Sequence, residues 1–118
     1  MSTLIQTLDN LISRYVRLNE RNVCYTCAGY GNEAGHFIQR AIEKYRHDLI
    51  NVHCQCHNCN VDKSGNLEVY EIALRVEYGD EIVNKMLADK KANVFFRYDE
   101  AHLKSEIKRF RKLLKEFE

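Results

Sequence analysis

No apolar stretch in this sequence approaches the roughly 20 residues that a membrane-spanning helix requires, so such a helix is excluded. There is no internal repeat, linker or low-complexity run, which leaves neither a solenoid nor a string of modules. An excess of one charge is also missing. The 18 Lys and Arg nearly balance 17 Asp and Glu, and the net +1 says nothing about partners. Proline is absent altogether, and nothing follows from it. The N-terminus is amphipathic where a secretory signal would be a plain apolar run. The five cysteines are an odd number, which argues against a closed disulfide framework. These last two observations lead to the expectation of a reducing, cytoplasmic setting.

What is present fits one domain over residues 1–118, with 45% hydrophobic residues and room for a modest core. The charge is unevenly placed: from Lys85 onward ten Lys and Arg stand against six Asp and Glu, so the C-terminal third is the basic end. Residues 1–21 read as a helix, with Leu4, Leu8, Leu11, Tyr15 and Leu18 at alternating steps of four and three. Ile5, Ile12 and Val16 widen that stripe, and Ser2 or Thr3 is placed to cap it. A stripe so wide packs a core, and it also offers a surface for a two-fold dimer.

The chain turns on Cys24-Tyr25-Thr26-Cys27 and Cys56-His57-Asn58-Cys59. Two residues between cysteines let one tight turn present both thiolates, and two such turns complete a tetrahedron around zinc. That site is closed, so the zinc is structural. A redox motif needs only one pair. Cys54 is the spare and is expected to pack as a small apolar residue. Between the pairs, Glu33–Ile38 and Leu49–His53 read as strands, and Cys56–Lys63 as the start of a helix broken by Ser64-Gly65-Asn66. A knuckle, a hairpin and a ligand-bearing helix make a treble clef. Leu67–Tyr78, Glu81–Lys91 and a helix from Asp99 to about Phe117 follow, with Gly79 as a C-cap and Asp80 and Asp99 as N-caps. The expected class is α+β: a zinc-stapled treble-clef (ββα-metal) module at 22–66, flanked by the N-terminal helix and a helical part at 67–118.

Inside the zinc frame, His36, Asn51 and Asn60 follow one another in an order similar to the HNH nucleases. Ala34-Gly35-His36-Phe37-Ile38, Asn51-Val52-His53-Cys54-Gln55-Cys56 and Cys59-Asn60, with Ser64-Gly65-Asn66 and Tyr70 beyond, resemble the phage NinG/Rap family of recombination endonucleases. The resemblance spans residues 22 to 118. It implies a metal-dependent endonuclease that cleaves branched recombination intermediates, such as Holliday junctions and D-loops, in the cytoplasm of a bacterial host.

By that resemblance His36 is the general base, Asn60 binds the catalytic cation, and Asn51 shapes the loop and holds His36. Cys24, Cys27, Cys56 and Cys59 bind structural Zn2+, and the catalytic ion is Mg2+ or Mn2+. Many HNH members carry a metal ligand just before the base, and here that place is Gly35. Glu33, two residues back on the same strand face, is the first candidate to replace it; His53, His57 and Asp62 are the others. Clustered cations grip phosphates. Lys108, Arg111 and Lys112 of the last helix, with Lys104 and Lys115 beside them, are candidate DNA contacts. Arg40, Lys44 and Arg46, near His36 in sequence, are candidates for the scissile strand. A rival of another class is a non-catalytic zinc-dependent DNA-binding or protein-interaction module, favoured by the glycine at 35.

Overall fold

The computed structural model describes residues 1–118. Helix α1, Ser2–Asn19, buries Leu8, Ile12 and Val16, with Leu4, Leu11 and Tyr15 half-buried beside them. The centre of the stripe is therefore the line that only widens it in the sequence. Ser2 and Thr3 do not cap the helix. They lie in its first turn, and the cap position falls to Met1, which has no side chain able to accept the free amides.

Strand β1, Glu33–His36, pairs antiparallel with β2, Val52–Gln55; Glu33 faces Gln55, Ala34 faces Cys54, Gly35 faces His53 and His36 faces Val52. Both strands differ from the expected limits: the Phe37 amide still bonds the Asn51 carbonyl (3.0 Å), but Ile38 turns to the Asn51 side chain. Its Oδ1 accepts from the Ile38 amide (2.7 Å), and its Nδ2 donates to the carbonyls of Ile38 (2.9 Å) and Tyr45 (3.1 Å). A single 3-10 turn, Glu43–Tyr45, lies in the connection.

All four β2 residues are buried, since the hairpin is covered on both sides. One face meets a core of Leu8, Ile12, Val16, Val52, Leu103, Ile107 and Phe110, drawn from α1, β2 and the last helix. The other looks toward Phe37, Ile38, Tyr45, Tyr70, Leu74, Val83 and Met86. Here α2 is Leu67–Tyr78, α3 Asp80–Lys91 and α4 Glu100–Lys115. Alternation along a strand sends successive side chains to opposite faces, so one short hairpin serves two cores.

The second cysteine pair opens onto a wide helical turn at Asn58–Asp62, which Ser64, Gly65 and Asn66 end with three successive positive φ angles. Gly79, at φ 92°, ends α2. It also holds the cap position of α3, so Asp80 is not the cap expected; its carboxylate accepts from Arg75 at 2.9 Å. Asp99 does cap α4, accepting from the Ala101 amide at 3.0 Å. Val94–Tyr98 forms no strand. The apolar side of α1 packs inside the chain against α4 and β2, which corrects its reading as a free dimer surface. No helix is long and apolar enough to cross a membrane.

Candidate functional site

The four paired cysteines come together, every sulfur within 4.8 Å of the other three. The Sγ atoms of Cys27 and Cys56 are 3.7 Å apart, against the roughly 3.8 Å edge of a tetrahedron with Zn–S bonds of about 2.3 Å. Ala28 takes a left-handed conformation (φ 64°) that bends the first knuckle, and the Gly29 amide points at Cys27 Sγ (3.4 Å). The Cys59 amide does the same for Cys56 Sγ at 3.4 Å. Donors aimed at sulfur favour thiolates over thiols. The donor set, spacing and amides fit a structural zinc. Cys54 stands outside the cluster, fully buried, and burial pushes its thiol up to about 11.

His36 ends β1 on the face toward α1. Its Nε2 lies 3.0 Å from the Arg46 carbonyl. A carbonyl only accepts, so Nε2 carries the proton and Nδ1 keeps its lone pair. Burial lowers the imidazole's pKa, against the opposing pull of the Arg46 carbonyl, so the ring is neutral near pH 7. Asn51 sets its position from behind, its carbonyl accepting from the Phe37 amide at 3.0 Å. Tyr70 adds a second tether, its hydroxyl bonding the carbonyls of Gly35 (2.8 Å) and Asn51 (3.2 Å). Asn51 is wholly buried, so its side chain serves to hold the neighbouring backbone.

A cleft of about 210 Å³ opens beside His36, walled by Asp9, Ser13, Arg40 and Arg46 among others. Asp9, which the sequence does not single out, organises it. Arg46 grips its carboxylate with two nitrogens (3.0 and 2.5 Å), His47 Nε2 lies at 2.8 Å and Arg40 at 3.7 Å. Burial alone would raise the pKa of Asp9, but the hydrogen bonds from His47 and Arg46 outweigh it and hold it at about 2. Its one signal in the sequence is that it is the only acid within α1. Arg46 is thus already paired, and Lys44 is bound to Asp89 at 2.8 Å. Neither is the free phosphate ligand expected, while Arg40 remains largely exposed.

The other face of β1 carries a different set. Asn60 Nδ2 donates to Glu33 Oε1 (2.9 Å), and His57 Nδ1 lies 2.7 Å from Glu33 Oε2. These hydrogen bonds, Asn60's first and then His57's, lower the pKa of Glu33, so it is a carboxylate. Glu33 and Asn60 therefore meet, and His57 joins them at the surface. Register puts them on the face opposite His36, so His36 and the candidate cation ligands flank β1 from two sides. His53 is not a ligand. Glu20 takes its Nδ1 (2.6 Å), the Ile50 carbonyl its Nε2 (3.0 Å), and Tyr25 stacks on the ring at 3.9 Å. With both nitrogens engaged and the residue buried, it has nothing to offer a cation.

A third region lies on α4. Lys104, Lys108, Arg111, Lys112 and Lys115 line a groove of about 730 Å³ with Leu4, Thr7 and Ile107. No carboxylate shares that lining, and none of the five cations is ion-paired.

The chain was compared with known proteins. The family model described as Bacteriophage Lambda NinG protein matches residues 1–118. The chain belongs to the NinG family. It is similar to Protein ninG of Escherichia phage 933W, 31% identical over 87 residues, covering 70% of this chain and 43% of that protein. Against Protein ninG of Salmonella phage P22 the identity is 30% over 92 residues, 74% of this chain and 45% of the relative. Protein ninG of Escherichia phage lambda gives 30% over 87 residues, 70% and 43%. The match spans less than half the length of these NinG relatives. No solved structure matches.

Proposed function

We propose that this NinG-family chain is a metal-dependent DNA endonuclease of HNH type, with a treble-clef zinc frame, acting on branched recombination intermediates. The observation that carries the reading is His36: a neutral imidazole, its tautomer fixed by a backbone carbonyl, with a free Nδ1 beside a cationic cleft.

Nδ1 of His36 takes a proton from water as the water oxygen bonds to phosphorus, and the bond from phosphorus to the leaving alcohol oxygen breaks. Arg40 faces the charge on the phosphate. Glu33 and Asn60 are the residues to hold a divalent cation, being a carboxylate and an amide suited to a hard ion. Such an ion, when bound, supplies charge stabilisation to phosphate and leaving oxygen. The α4 cations grip duplex arms through their phosphates, which carries no sequence preference and suits a branched substrate. Two copies cutting a symmetric junction match its two-fold symmetry. Such a protein acts in the cytoplasm of the infected cell.

A labelled four-way junction incubated with the purified chain, with and without Mg2+ or Mn2+, tests this. Metal-dependent cleavage that His36→Ala abolishes while binding persists is the expected result. Binding without cleavage at any metal concentration would leave the rival reading, a non-catalytic zinc-dependent DNA-binding module, which Gly35 favours.

A further inference from the structure

The glycine that removes a ligand from β1 makes room for another residue's oxygen. Gln55, across the hairpin, is fully buried, and a Cβ on Gly35 would collide with its side-chain oxygen. Gln55 Nε2 donates to Thr26 Oγ1 and to the Gly65 carbonyl, each at 3.0 Å. The Gly65 carbonyl only accepts, so the amide cannot be reversed, and Oε1 must be the end that faces Gly35. That oxygen is buried and has no hydrogen-bond partner. A buried acceptor left unpaired destabilises the fold unless something it can bind takes the place of a donor. Asn60 Oδ1 lies 3.1 Å from the same point above Gly35, because Asn60 has turned its Nδ2 to Glu33. Two carbonyl-type oxygens thus converge with no proton donor between them, beside an ionised carboxylate.

We propose that Gln55 Oε1 is the ligand that stands in for the side chain Gly35 lacks, and that with Asn60 Oδ1 and Glu33 it forms an oxygen site for a hard divalent cation. This rests on the endonuclease reading for its purpose, but not for its chemistry: amide and carboxylate oxygens are what Mg2+ and Mn2+ take. The zinc knuckle fixes the orientation. Thr26 Oγ1 lies 3.4 Å from Cys24 Sγ. With zinc bound, the Cys24 thiolate would accept a hydrogen bond from the Thr26 hydroxyl, leaving that oxygen free to accept from Gln55 Nε2. Thr26, held by the knuckle, would thereby aim Gln55 Oε1 at the second site when zinc is bound.

The test is a Mn2+ titration of the zinc-loaded chain, read by the electron paramagnetic resonance of free Mn2+, with zinc content measured on each sample. Wild type is expected to bind one Mn2+. Gln55→Met and Gly35→Ala are each expected to weaken binding about tenfold or more, the scale on which removing a group that orients a metal ligand acts, with one zinc retained. Should Gln55→Met lose its zinc or its fold, Gly35→Ala samples that keep one zinc decide, since that variant leaves Gln55 its amide and acts by displacing Oε1. Mn2+ binding by Gly35→Ala as tight as in wild type, or no Mn2+ binding by wild type, overturns the proposal. The two readings fail separately. Mn2+ held through Gln55 with no DNA cleaved sinks the endonuclease and keeps the site; His36-dependent cleavage with Mn2+ binding indifferent to Gln55 does the reverse.

Discussion

The two faces of β1 are one residue apart in sequence and opposite in chemistry. The His36 face gathers two guanidinium groups, Arg40 and Arg46, and the His47 ring around the single carboxylate of Asp9. The Gly35 face presents oxygens, from Glu33, Asn60 and Gln55, with only the exposed His57 against them. One face gathers guanidinium groups around a carboxylate, and the other gathers oxygens. The backbone of β1 lies between them. In a two-stranded sheet period-two alternation alone produces such a division. What each face needs from elsewhere differs: α1 supplies Asp9 to the first, and the zinc knuckle supplies Thr26 to the second.

Removing the zinc should break the contrast most completely. The metal contributes on the order of 10 kcal/mol in comparable small sites, as much as the whole stability of a typical domain. Cys59→Ala, or strong chelation, is expected to unfold the hairpin and both faces with it. A Cys59→Ala protein with unchanged zinc content and melting would refute the four-cysteine site. Next in size, His36→Ala should lower junction cleavage about a hundredfold or more while zinc content and junction binding stay as they are. Near-normal cleavage would remove His36 from the chemistry. Asn60→Ala, on the opposite face, should lose cleavage that high metal concentration partly restores, and that difference in rescue distinguishes the faces.

Acid sharpens the comparison further. Asp9 titrates at about 2 in the fold against an ordinary 3.8, so its contribution is complete above roughly pH 4 and disappears as pH falls through 2. About 2 kcal/mol of stability is involved. Denaturant unfolding of wild type and Asp9→Asn should differ by that amount at pH 6 and converge near pH 2. A constant difference across that range would mean that the ion cluster is not its cause. The smallest effect is expected on α4. Replacing Lys108, Arg111 and Lys112 by Gln should flatten the salt dependence of DNA affinity by about 0.9 for each phosphate no longer neutralised. An unchanged slope would show that face to be merely solvated.

The helices are legible in the sequence because each carries its own signal: periodic Leu and Ile in α1, Gly79 and Asp99 at helix ends. The cysteine pairs are legible because zinc tolerates few spacings. Glu33 and Asn60 can be found as a pair, since strand alternation and the residue after Cys59 are local facts. The failures are of another kind. Whether Arg46 and Lys44 are free depends on Asp9 and Asp89, which lie 37 and 45 residues away. His53 misleads for the same reason, its ring being claimed by Glu20 from the end of α1. Gln55 stands in plain view, but only the backbone of Gly35 beneath it gives it meaning. Partners distant in sequence leave no periodicity behind.

The hairpin shared between two separate cores has a kinetic consequence. The helices α1 and α4 close one core and α2 and α3 the other, while Val52 and Phe37, at the inner ends of the hairpin, enter one each. Either helical pair can open without carrying the other with it, but neither opening releases both sides of β2. Native-state hydrogen exchange should therefore show two sets of helical amides, each with its own opening free energy. The β1–β2 amides should exchange only through complete unfolding, slower than either set, so that two strands of four residues are the last to let deuterium in.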